Sequence, residues 1–207
     1  MKKILLATVA VVVFAVAASA QFKVGVKAGG NMSKLRINGE SQLFTNDNFK
    51  SYHAGLVGDL QVTDNISVQP QLLYVRKGAT VFNTKETGLT KLRMNYIDLG
   101  TNVLYKVPVG FGKVFAGAGI SGSYGINGSE ETNGQKRKLY SDIKTWKRYD
   151  LSYGLTAGLE LNNGVFISAS SEKSLLDINK ESGTIKNRTY AVSVGYYINW
   201  NKINRRG

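Results

Sequence analysis

Residues 188–200 alternate with a period of two. Tyr190, Val192, Val194, Tyr196, Ile198 and Trp200 fall on one face, and Ala191, Ser193, Gly195, Tyr197 and Asn199 on the other. Such a period marks an extended strand whose faces meet unlike surroundings. The segment after residue 20 repeats it: Phe22, Val24, Val26 and Ala28 alternate with Lys23, Gly25, Lys27 and Gly29. In residues 149–161, Tyr149, Leu151, Tyr153, Leu155 and Ala157 oppose Asp150, Ser152, Gly154, Thr156 and Gly158. One face of each segment lacks charge through its middle. The other carries Lys23, Lys27, Asp59, Asp98, Lys106 and Glu160 among small residues. A soluble barrel or sandwich shows charge to water and hides its apolar face. Charge packed with glycine on the inside and apolar side chains outside fit a narrow barrel in lipid.

Extending the pattern predicts eight strands, near 22–33, 50–62, 66–77, 92–107, 113–126, 148–161, 165–173 and 188–200. "TDN" after Val62, "PVGFG" after Val107 and "NNG" after Leu161 read as tight hairpin turns. The other connections, near 34–49, 78–91, 127–147 and 174–187, read as long, polar loops. Short turns at one end and long loops at the other predict an all-β fold: an eight-stranded antiparallel up-and-down transmembrane β-barrel with its long loops outside the cell. Tyr52, Tyr74, Tyr124, Tyr149 and Tyr190 fall near the long-loop ends of strands, and Phe22, Tyr105, Phe111 and Trp200 near the short-turn ends. Two aromatic girdles are expected at those levels.

Upstream of the strands, Lys2 and Lys3 precede the apolar run Ile4 to Ala18, which ends in Ala18-Ser19-Ala20. This reads as a secretory signal peptide over 1–20, cleaved before Gln21, with one barrel domain over 21–207. The chain has no cysteine, so it carries neither disulfides nor a lipid-modified cysteine. "FAGAGISGSYG" places Gly117, Gly119 and Gly122 in the order G-x-G-x-x-G. That fingerprint needs a strand leading in and a helix opening out. Here it lies inside a strand, with Asn127-Gly128 opening a loop, so its glycines are read as packing residues.

"FKVGVKAGGNMSKL", "YHAGLVGDLQVTDNISVQPQLLYVRKGA" and "YDLSYGLTAGLEL" resemble the small porin-like outer-membrane β-barrel family common in Bacteroidetes. The matching pieces are G-x-K-x-G-x-N-x-S from Gly25 to Ser33, and Gln71-Leu72-Leu73-Tyr74 followed by Lys77-Gly78. The resemblance implies the cell outer membrane as location and contact with the barrel-insertion machinery. Gln71 stands where the family often has Glu, which removes a lumen charge. The chain continues past its last strand with "NKINRRG", so the insertion signal is expected at the internal Trp200.

The formal net charge is +13. Most of the excess lies in the long loops, densest in "QKRK" (Lys136, Arg137, Lys138) and "KTWKR" (Lys144, Lys147, Arg148), and in the tail. Basic residues at the outer rim suit outer-membrane lipid, above all the phosphates of lipopolysaccharide; the alternative is a solvated loop. An extracellular protein partner of unknown kind is open, and nucleic acid is not expected of an exported chain whose aromatics suit girdles. No cofactor or metal is expected. The lone histidine, His53, would need Ser51 or Ser33 as nucleophile and a third group to orient it before it could act in lipid hydrolysis; a hydrogen-bonded filler is the expected role. Asp59, Asp98, Asp150 and Glu160 are expected to pair with Lys23, Lys27 and Lys106. Three functional classes follow: a structural or interaction barrel, which is favoured; a narrow porin-like channel for small solutes; and a lipid-modifying enzyme. No enzyme activity is expected.

Overall fold

The structure is a computed structural model that describes residues 22–38, 44–47, 49–83, 88–132, 134–139, 147–176 and 184–198. Residues 1–20, Lys144, Trp200 and the basic tail lie outside the described residues. The strands are β1 (Phe22–Asn38), β2 (Phe44–Asp47), β3 (Phe49–Gln61), β4 (Ile66–Asn83), β5 (Gly88–Pro108), β6 (Gly112–Thr132), β7 (Gln135–Lys138), β8 (Tyr149–Leu161), β9 (Val165–Ser174) and β10 (Thr184–Ile198). The eight long strands pair antiparallel in the order β1-β3-β4-β5-β6-β8-β9-β10, and β10 returns to β1. The ring therefore closes without a free edge, the arrangement that satisfies strand backbones in a medium without water. The short β2 and β7 pair outside the ring, on the extensions of β4 and β6.

The register sets the barrel's dimensions. Stepping from Leu159 through Ile167, Val194, Ala28, Ala54, Tyr74, Ile97 and Tyr124 returns to β8 at Tyr149, ten residues from the start. Such a stagger over eight strands tilts them by about 35–45° and leaves an interior that side chains fill. Every residue on this path faces outward. Along β1 the outward positions from Phe22 to Met32 carry no charge. At about 3.3 Å per residue and a tilt near 40° they span about 25 Å, the height of an apolar band.

The two faces lie as the alternation predicts. Val194 and Leu155 are 54% and 67% exposed, whereas their neighbours Ser193 and Thr156 are 3% and 8%. The three short turns also form, and Gly110 and Gly164 take the left-handed backbone that two of them need.

The long connections differ from expectation. Most of 78–91 is strand, since β4 runs to Asn83 and β5 starts at Gly88. In the region read as the loop 127–147, β6 continues to Thr132, turns at Gly134 with φ 79°, and pairs with β7. Asn127-Gly128 is mid-strand rather than a loop start. Ile126 is the extra residue of a β-bulge, because Tyr96 pairs with Gly125 and Asn95 with Asn127. Beyond an apolar band the outward face of a strand meets water and carries polar side chains. The apolar alternation then fades from the sequence while the backbone ladder runs on.

Candidate functional site

The lumen holds two polar groups, one above the other. At the short-turn end, Lys106 Nζ lies 2.8 Å from both Asp59 carboxylate oxygens and 2.9 Å from Glu160 Oε2, and Lys23 Nζ lies 2.7 Å from Glu160 Oε1. Lys106 and Asp59 are 4% and 2% exposed. Lys23 and Lys106 each stand 5.9 Å from the centre of the Tyr197 ring, which stacks on Phe166 at 4.7 Å. Gln69 Nε2 donates to Tyr197 Oη at 2.7 Å, and Asn102 Nδ2 donates to Gln69 Oε1 at 3.0 Å. Gly195 makes the stack possible: a Cβ there would overlap the Phe166 ring.

Nearer the long-loop end, Lys27 Nζ donates to Gln71 Oε1 at 3.1 Å. Lys77 Nζ lies 3.4 Å from Ser123 Oγ and 3.9 Å from Asp150 Oδ2, and 5.4 Å from the centre of the Tyr96 ring. Ser123 Oγ donates to Asp98 Oδ2 at 2.5 Å, and Ser174 Oγ donates to Asp150. Above these charges sit buried apolar side chains: Leu92, Met94, Tyr96 and Leu139. Leu139 follows β7 directly; its N–H donates to the Gly128 carbonyl at 3.0 Å, and its side chain occupies the space a Cβ on Gly128 would need. The β6–β7 hairpin thus folds a fully buried leucine back against β6.

His53 is held between two strands. Its Nδ1–H donates to Asn31 Oδ1 at 2.6 Å, and its Nε2 accepts from Ser193 Oγ at 2.9 Å. Gly29, between His53 and Ser193 in the register, leaves room for this bridge. Neither nucleophile suggested by sequence points its hydroxyl at the ring nitrogens: Ser51 Oγ donates to the Arg76 carbonyl at 2.6 Å and Ser33 Oγ to the Gly78 carbonyl at 3.2 Å. Ser193, His53 and Asn31 follow the order of nucleophile, base and orienter. All three are buried in the wall of the lumen.

The matching family model is that of the outer membrane protein beta-barrel domain, over residues 16–180. The chain belongs to this family. It is an integral β-barrel protein of the outer membrane, and its outward face is the lipid face. No curated protein matches the chain. Among solved structures, the barrel is similar to Ail, the attachment invasion locus protein of Yersinia pestis, at 15% identity and a TM-score of 0.49, covering 86% of this chain and 99% of that one. Neisserial surface protein A matches at 13% identity and 0.46, covering 84% and 96%. OprG of Pseudomonas aeruginosa matches at 13% and 0.46, covering 86% and 97%.

Of the six charged residues expected in the lumen of this outer-membrane barrel, the structure brings together Lys23, Lys106, Asp59 and Glu160. Lys27 and Asp98 form no ion pair with each other within 4 Å; their hydrogen-bond partners are Gln71 and Ser123. Lys77 and Leu139 escaped sequence reasoning, which puts Tyr197 on the inner face without a role in the charge cluster. The position of Lys77, two residues past Val75 on the inner face, was the available signal. On the lipid face, Tyr52 and Tyr74 lie 6.3 Å apart and Tyr124 and Tyr149 5.1 Å apart toward the long-loop end, where the Arg188 guanidinium lies 5.0 Å from the centre of the Tyr190 ring. Phe22 and Tyr105 are exposed toward the short-turn end. Lys136, Arg137 and Lys138 form β7, so what sequence presents as a loop patch is a strand opposite Glu131, Glu130 and Ser129. Lys147 and Arg148 are exposed just before β8.

Proposed function

We propose that this protein is a non-conducting barrel that works through its outer surface, holding to the outer leaflet and to partners outside the cell, with no chemistry in its lumen. The observation that carries the reading is Lys106, tied to both Asp59 and Glu160 across an eight-stranded interior. The Phe166–Tyr197 stack lies beside it, and Leu92, Met94, Tyr96 and Leu139 are buried toward the opposite end. A vestibule of about 300 Å³ at the short-turn end is lined by Lys23, Glu160 and Tyr197, and a cavity further in measures about 10 Å³, room for one water. In this reading the Ser193–His53–Asn31 chain is a hydrogen-bonded brace between strands.

The export route completes the proposal. Cleavage after Ala20 releases the barrel, the insertion machinery reads Trp200, and the long-loop end faces outside. Protein purified from outer membranes and placed in planar bilayers should show no steady conductance steps in concentrated KCl. Reproducible open steps would establish a channel and end the reading. Protease shaving of intact cells should cut between Lys136 and Arg148 and spare Asn162–Gly164. The reverse pattern would invert the orientation.

A further inference from the structure

We propose that the outward face of β5, β6 and β7, with Arg76 of β4 at its foot, docks the phosphate groups of a phosphorylated glycolipid in the leaflet around the barrel. This rests on the reading that the barrel works through its outer surface, and it names the ligand and the residues.

The register stacks this face in rows. The first is Tyr74, Ile97, Tyr124 and Tyr149, apolar and aromatic. The next is Arg76, Asn95 and Asn127, in which Asn95 Nδ2 donates to Asn127 Oδ1. Above come Arg93, Ser129 and Lys138, then Lys91, Glu131 and Lys136. The Ile126 bulge produces this order. Without the extra residue, Gly128 and Glu130 would point outward and Ser129 and Glu131 inward.

Among the described residues, five basic side chains meet one acid on the face, and Arg93 Nη1 lies 3.2 Å from that acid, Glu131 Oε2. Arg76 Nε is buried with no hydrogen-bond partner in the protein. Guanidinium groups present fork-like donors to phosphate, and ammonium groups add point charge. Tyrosines mark the level where acyl chains give way to headgroups. The basic rows begin one step above them and look sideways along the membrane plane. A lipid headgroup in the same leaflet meets that face directly, whereas a soluble polyanion would approach the tips of the strands from above.

The test is native mass spectrometry of the full barrel in detergent, titrated with bis-phosphorylated lipid A or with the same lipid dephosphorylated. The wild type should retain the phosphorylated form about tenfold more tightly or better. Lys91→Gln, Arg93→Gln and Lys138→Gln together should abolish the difference while heat-modifiable gel mobility still reports a folded barrel. Should the triple variant not fold, Arg93→Gln alone should reduce the preference severalfold. Lys113→Gln at the opposite end should leave it unchanged. Equal retention of the two lipids, or an unchanged preference in the folded variants, overturns the proposal. So does loss, in the triple variant, of binding to a soluble sulfated polysaccharide while the lipid preference stays. Conductance steps would defeat the closed-barrel reading and leave this comparison of lipids intact.

Discussion

Replacing Lys106 by methionine is expected to lower folding stability by about 3–5 kcal/mol, a large share of what a domain of this size has. Lys106 is the ammonium within salt-bridge distance of Asp59, whose side chain is 2% exposed. Removing it leaves that carboxylate desolvated and unpaired, and leaves Glu160 with Lys23. The magnitude separates two pictures of the lumen. A wet channel would screen the cluster, and the loss would fall to the 0.2–1 kcal/mol typical of an exposed pair. Denaturant unfolding of the barrel in lipid vesicles measures it. Pairing Lys106→Met with Asp59→Leu removes both charges and should recover most of the loss, because an apolar replacement of a buried ion pair is often neutral or better. A small loss in the single variant, or no recovery in the double one, would mean that the lumen is hydrated and that the closed-barrel function fails with it.

The sequence discloses the faces of this barrel more readily than the contents of its lumen, for a physical reason. Side-chain direction along a strand is local: Val194 and Ser193 point opposite ways whatever their neighbours do, so a period of two is legible in one segment. Pairing across the lumen is not local. Lys23 and Glu160 are 137 residues apart and sit on strands that are not adjacent in the ring. Their meeting follows from strand tilt and stagger, which no single segment encodes. Gly29 and Gly195 stand out in sequence as small inner-face residues, yet what fills the space they leave, the His53 bridge and the Phe166 ring, comes from other strands. The strand extensions are hidden for the opposite reason. Around Glu131 and Lys136 no apolar face alternates, so charge there reads as loop. Asn133-Gly134, a strong hairpin signal, is masked by the charged residues around it.

Val194→Arg and Leu155→Arg should each lower stability in vesicles by about 2–4 kcal/mol, the penalty for arginine on the lipid face near mid-membrane. Both positions lie near the centre of the apolar band, on β10 and β8. Each is more than half exposed, so arginine there meets little steric resistance and leaves no large cavity. In water such a surface substitution would change stability by no more than about 0.5 kcal/mol. Nearly all of the expected penalty is therefore a property of the surrounding solvent, which makes the pair a probe of lipid rather than of packing. Lys173→Arg, an outward position past the apolar band, keeps the charge where it already stands and should stay within that smaller range. Refolding from denaturant gives a second reading. Compact β structure with heat-modifiable mobility should form in micelles and not in plain buffer. A protein that melts cooperatively without detergent, with both arginine variants as stable as the parent, would mean that the exposed valines and leucines of these strands face water and that the barrel does not span a membrane.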